Sequence, residues 1–293
     1  MVVSNLNVAV VSSLDKLNAQ NVMYEVVNEL NSLGINILMN KTTRGSILKG
    51  VEYLDDDKEI LRGCDLVIII GGDGTIIHEA KNAAMFNKPV LGINAGRIGF
   101  VAALEADEID KLDKLVTKEY IIEKRMMIRA SINKSGVITS GHALNDVVIS
   151  GGAFSGIIDI NVSFNNDEMC KYRADGLIIS TPTGSTAYSL SAGGPIIEPK
   201  MKCMLVTPIC SHSLSSRPVL FGDEVNLTIR PVSRQNGDIS VMLDGRNPVR
   251  LENGDFIEIC AANKYVELIK IKDNNFYTIL NDKLSERRIQ TEG

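Results

Sequence analysis

The chain is organised around Leu66-Val67-Ile68-Ile69-Ile70-Gly71-Gly72-Asp73-Gly74-Thr75. Five consecutive apolar residues, four of them β-branched, read as a strand buried on both faces. The run stops at two glycines, an aspartate and a third glycine. Ile76, Ile77, Ala80, Ala83 and Ala84 then recur at helical spacing. An acidic side chain is therefore expected at the carboxyl end of a central strand, beside a helix N-terminus. In open α/β sheets that crevice takes ligands, and helix N-termini attract anions. Gly71, Gly72 and Gly74 are expected to offer positive φ and to let a ligand approach the backbone. No Gly-Lys-Ser/Thr follows and the spacing is not G-x-G-x-x-G, so neither common phosphate-loop pattern applies. The plainer alternative is a glycine-rich strand-to-helix turn with no ligand.

The flanking residues extend the α/β pattern. Residues 6–11 read as a strand. Val22, Met23, Val26, Val27, Leu30 and Leu33 form a helical face closed by Gly34, and Ile35–Met39 is a second strand. Residues 40–63 are polar, with Asp55-Asp56-Asp57 leading into a short helix; the acidic run reads as a helix start rather than a metal site. Pro89–Asn94 is a further strand, and Asn94-Ala95-Gly96-Arg97-Ile98-Gly99-Phe100 leaves it on the same edge as Asp73, with Arg97 a candidate phosphate contact. Asp107–Val116 reads as a helix. The alternation predicts a doubly wound parallel-sheet domain over 1–118.

From Tyr120 the texture changes. β-rich runs at 125–132, 143–150, 156–164, 176–181, 203–207, 224–230, 239–244, 255–260 and 264–271 are separated by turn signals such as Ser150-Gly151-Gly152, Asn165-Asn166-Asp167, Asn236-Gly237-Asp238 and Glu252-Asn253-Gly254-Asp255. They predict an all-β sandwich-like domain over 119–272. Residues 273–293 are expected to form a C-terminal helix packing back on the first domain.

Of the 293 residues, 44% are apolar and 23% charged, ordinary for a globular protein. The net charge of −5, without a basic block, argues against nucleic acid as a partner. No apolar run reaches a membrane span, and Leu6–Val11 lacks the charged start and cleavage site of a signal peptide. Five scattered cysteines without C-x-x-C suggest reduced thiols in the cytoplasm and no zinc.

Three stretches of the second domain hold candidate chemistry. Asn145-Asp146 sits at a strand start. Arg173 and Asp175 lie on one side of an extended chain. The run from Ser180 to Pro195 places hydroxyls and glycine ahead of a helix, where they supply hydrogen-bond donors, with Tyr188 able to stack on a base. A capped Ser/Thr-rich turn is the plain alternative. Ser211 and His212 have no nucleophile elbow to make a triad. His78 and His142 read as ordinary polar residues.

Gly71-Gly72-Asp73-Gly74-Thr75, Asn94 to Phe100, Asn145-Asp146, Asp175-Gly176, Thr181-Pro182-Thr183-Gly184-Ser185-Thr186-Ala187-Tyr188, Ser215-Ser216-Arg217-Pro218 and Asp244-Gly245 occur in the order found in NAD kinases, which the chain resembles over nearly its whole length. The glycine-acid element alone is shared with diacylglycerol and sphingosine kinases; the Thr-Pro-Thr-Gly-Ser-Thr-Ala-Tyr run is far more specific. The resemblance implies transfer of phosphate from ATP, or from polyphosphate, to the 2′-hydroxyl of the adenosine ribose of NAD, giving NADP. It implies Mg²⁺ or another divalent cation carried with ATP, and no dedicated protein metal site. Asp73 matches the proton acceptor. Substrate and nucleotide contacts are implied at Gly71, Gly72, Asp73, Gly74, Thr75, His78, Phe100, Asn145, Asp146, Arg173, Asp175, Thr183, Thr186, Ala187, Tyr188, Ser189, Leu190, Ser191, Cys210 and Arg246. A homodimer or homotetramer is implied, with the β domain making subunit contacts.

The chain departs from the family in four places. Asp146 stands where glutamate is usual, Arg246 where glutamine follows Asp-Gly, Ala174 where glycine is common and Cys210 where alanine is common. Two other readings share parts of the pattern. A lipid kinase would need an apolar substrate groove, and the 181–195 stretch does not look lipid-facing. A sensor that binds NAD(H) or NADP(H) without turnover would not need Asp73.

Overall fold

A computed structural model describes residues 6–12, 17–43, 48–96, 99–152, 156–164, 167–213, 216–233, 238–272 and 276–281. Contacts divide the chain into two compact units, Met1–Lys124 with Val266–Gly293, and Arg125–Tyr265.

The first unit contains β1 (Asn7–Ser12), α1 (Leu17–Ser32), β2 (Asn36–Asn40), β3 (Val51–Leu54), α2 (Asp57–Gly63), β4 (Leu66–Gly71), α3 (Asp73–Met85), β5 (Val90–Asn94), β6 (Leu104–Glu105) and α4 (Asp113–Thr117). Five of these strands form a parallel sheet in the order β3-β2-β1-β4-β5. Every residue of β4 is buried, as expected of a strand covered on both faces. The α1 residues Val22, Val26 and Leu30 join one face of the sheet, with Val8, Val10, Ile68 and Ile70. The alternate residues Ala9, Val67 and Ile69 are buried on the opposite side.

Local rules explain the helix ends. After α1, Gly34 takes φ +70°. Its N–H donates to Asn31 O and that of Ile35 to Leu30 O, the paired bonds of a Schellman cap. Asp56 caps α2 by accepting from Lys58 N at 2.9 Å, so the acidic run is a helix start. The helix expected over Asp107–Val116 is instead a 3₁₀ segment, Ala106–Leu112, kinked at Glu108 and followed by α4. Arg97 lies outside the described residues.

The second unit continues with β7 (Ile121–Lys134), β8 (Val137–Ala143), β9 (Asp146–Gly151), β10 (Ile158–Phe164), β11 (Asp167–Ala174), β12 (Gly176–Ser180), α5 (Tyr188–Ser191), β13 (Cys203–Ile209), β14 (Val219–Gly222), β15 (Leu227–Ser233), β16 (Ile239–Leu243), β17 (Arg246–Leu251) and β18 (Phe256–Lys270). One antiparallel sheet runs β14-β13-β12-β9-β16-β17, and a second contains β11-β10-β15 and the start of β18. Ile149, Leu177, Ile179 and Val206 of the first meet Ile158, Ile160, Ile229 and Ile257 of the second in one core, giving the sandwich.

Six strands, β3, β6, β8, β11, β14 and β17, lie where the sequence predicts none. Each has a single strand neighbour among the described residues and is an edge. Edge strands bury little, so their period-2 signal is weak; Pro248 within β17 is typical of one. The runs expected at 255–260 and 264–271 are one strand, β18, because nothing between them breaks it. Its first half pairs with β15, whereas Leu268 pairs in parallel with Val90 of β5, so its end belongs to the first unit. Of the expected C-terminal helix, 276–281 is helical; 273–275 and 282–293 lie outside the described residues.

Candidate active site

In the first unit Asp73 is the first residue of α3, with Gly72 as its N-cap. The turn is reached from β4, whose last residue, Gly71, pairs with Asn94 at the end of β5. Both strand ends thus open on one edge. The segment leaving β5 returns to Asp73: its carboxylate accepts from Phe100 N at 2.8 Å and Val101 N at 3.3 Å. A side chain at Gly99 would place Cβ 2.0 Å from Asp73 Oδ1, so any larger residue would push the carboxylate from the position in which it holds the loop. Asp73 itself is half-exposed.

The glycines serve differently from the expectation. Neither Gly71, Gly72 nor Gly74 has positive φ. Gly71 is required because a Cβ would lie 2.9 Å from Thr75 Cβ. A Cβ at Gly72 or Gly74 would meet nothing within 4 Å, which leaves open space against the helix N-terminus. His78 lies half-buried on α3, with Nε2 3.8 Å from Glu79.

A buttress behind the turn fixes the end of β5. Asn94 donates to Glu105 at 2.6 Å, and Asn18 donates to Ala95 O at 2.8 Å. Burial raises the Glu105 carboxyl, against the Asn94 hydrogen bond that lowers it. Glu108 is also pushed upward by burial, but hydrogen bonds from Lys111, Lys272 and the Glu105 N–H outweigh this and hold it at about 2.

In the second unit Asn145 and Asp146 sit at the entrance to β9, with Asp146 buried. Asp244 organises them: its carboxylate accepts from Leu144 N at 3.1 Å, Asn145 N at 2.8 Å and Asp146 N at 3.1 Å. Asp244 and Gly245 link β16 to β17 with φ of 49° and 68°, the signature of a two-residue type I′ hairpin. The opposite side of the turn is closed by Thr181, whose N–H donates to Asn145 O and whose hydroxyl donates to Leu144 O. Gly184 packs so close that a Cβ would lie 2.0 Å from Asn145 O.

The hydroxyl run forms two short helical turns, Thr183–Thr186 and Tyr188–Ser191. Thr183, Thr186 and Ser189 are buried. Thr183 accepts from Arg125 at 3.3 Å, Thr186 donates to Thr183 O, and Ser189 pairs with Thr207 at 2.8 Å. Tyr188 is 46% exposed. Ala187 and Leu190 are half-buried and Ser191 is exposed.

Arg173, Asp175 and Cys210 form another group. All three are exposed, and His212 N donates to Arg173 O. They lie at the start of β12, whereas Asn145 and Thr181 lie at its other end, about 17 Å along a five-residue strand. Arg246 is exposed beside the Asp244 turn.

Two family models match the chain: the ATP-NAD kinase N-terminal domain over residues 5–120 and the ATP-NAD kinase C-terminal domain over 144–271. The chain belongs to the ATP-NAD kinase family. It is 42% identical over 238 residues to an NAD kinase of Thermoanaerobacter sp. (strain X514), covering 80% of this chain and 84% of that one. It is 37% identical over 279 residues to the NAD kinase of Symbiobacterium thermophilum, covering 94% and 98%. Among solved structures it is similar to yeast NADH kinase complexed with NADH, with TM-score 0.86 and 25% identity over 96% of this chain and 88% of that chain. An NAD kinase from Archaeoglobus fulgidus in complex with ATP has the same fold, with TM-score 0.73 and 24% identity, over 96% and 99%.

Against this ATP-NAD kinase background, Asp244 is the residue that reading for side-chain chemistry missed. It stands outside the predicted contacts because its work is done on backbone. An available signal was Asp-Gly between two β-rich runs, the strongest short hairpin mark.

Proposed function

We propose that this protein is an NAD kinase that transfers the terminal phosphate of ATP to the 2′-hydroxyl of the adenosine ribose of NAD, making NADP. The observation that carries this is the Asp73 carboxylate, held by two backbone N–H groups at the N-terminus of α3, in a chain that matches both ATP-NAD kinase domains.

A ribose hydroxyl is a weak nucleophile until a carboxylate orients it and takes its proton, and Asp73 does both. Phosphoryl transfer otherwise needs alignment and charge neutralisation. The space beside Gly72 and Gly74 lets phosphate oxygens approach the N-terminus of α3 without a side chain in the way. Asn145 and Asp146 hold NAD through its hydroxyl groups. Tyr188 is exposed enough to stack on a ring of the dinucleotide.

Mg²⁺ commonly binds through one or two carboxylates plus substrate phosphates, and the half-exposed Asp73 carboxylate at the turn is one such oxygen donor. Asp73 and the phosphates would hold it, and the ion supplies neutralisation of phosphate charge.

The protein works as a homodimer or homotetramer. Arg173, Asp175 and Cys210, at the far end of β12, are the residues that a subunit contact through the β unit can offer to a neighbour's dinucleotide. Its unpaired thiols suit the cytoplasm, and no helix among the described residues is long and apolar enough to cross a membrane.

Purified protein should form NADP from NAD, ATP and Mg²⁺ in a coupled assay, with polyphosphate run in parallel as donor. Phosphorylation of diacylglycerol but not NAD would establish a lipid kinase instead. Tight NAD binding without product would establish a sensor. Light scattering reads the oligomer.

A further inference from the structure

The buttress behind the Asp73 turn carries two glutamates that bind different partners. Lys111 and Lys272 both go to Glu108. Glu105, the last residue of β6, reaches across to β5, where Asn94 Nδ2 donates to its Oε2 at 2.6 Å. Asn94 is 2% exposed and Glu105 is half-buried.

We propose that Glu105 is a positioning residue of the active site: its charge, acting through Asn94, holds the end of β5 against the turn that carries Asp73. The inference deepens the NAD kinase reading and rests on it.

Three observations support it. The first is connection. Asn94 pairs with Gly71, the residue from which the turn leaves β4, and the next N–H, that of Ala95, donates to Gly71 O at 3.3 Å. Asn94 Oδ1 accepts from Gly96 N at 3.0 Å. One side-chain amide therefore joins Glu105 to the start of the segment that returns to Asp73 through Phe100 N.

The second is residue choice. Glu105 stands at the cap of the 3₁₀ segment Ala106–Leu112, a position where Ser, Thr, Asp or Asn is favoured. The longer glutamate side chain instead holds a residue eleven positions earlier in the chain.

The third is electrostatics. Burial pushes the Glu105 carboxyl above its ordinary value, against the Asn94 hydrogen bond and Lys272, which lower it; Glu108 and Asp107 add to the rise. Lys111 is hydrogen-bonded to Glu108. A carboxyl raised in this way destabilises the fold once it ionises, so the charge is kept at a cost to stability. What it supplies is a charge-assisted hydrogen bond to Asn94, about twice as strong as a neutral one.

Glu105→Gln keeps the shape and an acceptor and removes the charge. At pH 8 its kcat/KM for NAD should be about fivefold lower than that of the wild type, as expected when a charge-assisted hydrogen bond becomes a neutral one. Its Tm should equal or exceed the wild-type value. The activity gap should close as pH falls and the wild-type carboxyl takes up its proton; protonation of Asp73 affects both proteins alike and cancels in their ratio. Amide hydrogen exchange at residues 71–74 and 94–96 should be faster in the variant at pH 8. A wild type that forms NADP beside an equally active variant overturns the role of Glu105 and leaves the kinase reading standing. An activity gap that keeps its size at every pH, or that accompanies a lower Tm, also overturns it, because the side chain is then a plain structural brace. Faster exchange in the variant of a protein that forms no NADP overturns the kinase reading and keeps the link from Glu105 to the turn.

Discussion

The two units fix a functional turn in opposite ways. At the end of β4, the proposed reactive acid does the holding itself: Asp73 binds the returning loop through Phe100 N and Val101 N. At the start of β9, the holding is delegated to Asp244, which gathers three backbone N–H groups from Leu144 to Asp146. In the first unit, position and chemistry are therefore coupled in one side chain. In the second they are separable, because Asp244 acts only through backbone that it orients.

The sharpest way to break this contrast is Asp73→Asn. The amide keeps an acceptor for Phe100 N but cannot take a proton. Turnover should fall by about 10²–10⁴, the usual worth of a general base, while NAD still binds. Steady-state kinetics with NAD binding measured separately checks both. Unchanged turnover would remove Asp73 from the chemistry.

Asp244→Ala should show the other pattern. Three partly buried N–H groups lose an acceptor, and alanine is strained at φ 49°. Stability should fall by about 3 kcal/mol, given about 1–3 kcal/mol for each unsatisfied buried donor and some access of water here. The KM for NAD should rise more than kcat falls, since the residue positions rather than reacts. Asp244→Asn restores one oxygen and should recover part of both losses. A variant that loses kcat but keeps its stability and its KM would show that Asp244 has a chemical role. Chemical denaturation and kinetics on the same preparations make the comparison.

Gly74→Ala separates fold from ligand in the first unit. A Cβ there meets nothing, and the residue lies in the first turn of α3 without positive φ. Alanine should therefore stabilise the protein, by about 0.5–1 kcal/mol, through its lower unfolded-state entropy. The same methyl group occupies space offered to phosphate, so the KM for ATP should rise. A higher Tm together with a weaker donor is an outcome that a purely structural turn would not give.

Legibility in the sequence divides along the same physical line. β4, fully buried, and α3, with its alanine face, were readable because burial imposes an apolar pattern. The edge strands β3, β6, β8, β11, β14 and β17 were not, because one side of each is unpaired and nothing forces alternation. At the site, Asp73 was legible as an acid between glycines, but the reason for the glycines was not. Gly71 and Gly99 answer to Thr75 and Asp73, contacts that exist only after folding. The separation of Asn145 from Asp175 likewise follows from the direction of β12, which a residue pattern does not encode.

The smallest expected effect concerns the buttress behind the Asp73 turn. Lys111 and Lys272 hold Glu108 at about 2, well below the ordinary glutamate value. A depressed carboxyl stabilises the fold above its unfolded pKa, and that stability is lost as pH falls through the folded value. The contribution is thus present at pH 7 and drains away from about pH 4.5 toward pH 2. Lys272→Met removes one of the two cations and lets the Glu108 pKa rise toward normal. The loss at pH 7 should be under about 1 kcal/mol, because the pair is partly solvated. Melts of the two proteins should differ at pH 7 and converge only as pH falls below about 2, where Glu108 becomes protonated in both. A gap that keeps its pH 7 size below pH 2 would mean that the methylene stem of Lys272, not its charge, supports the turn.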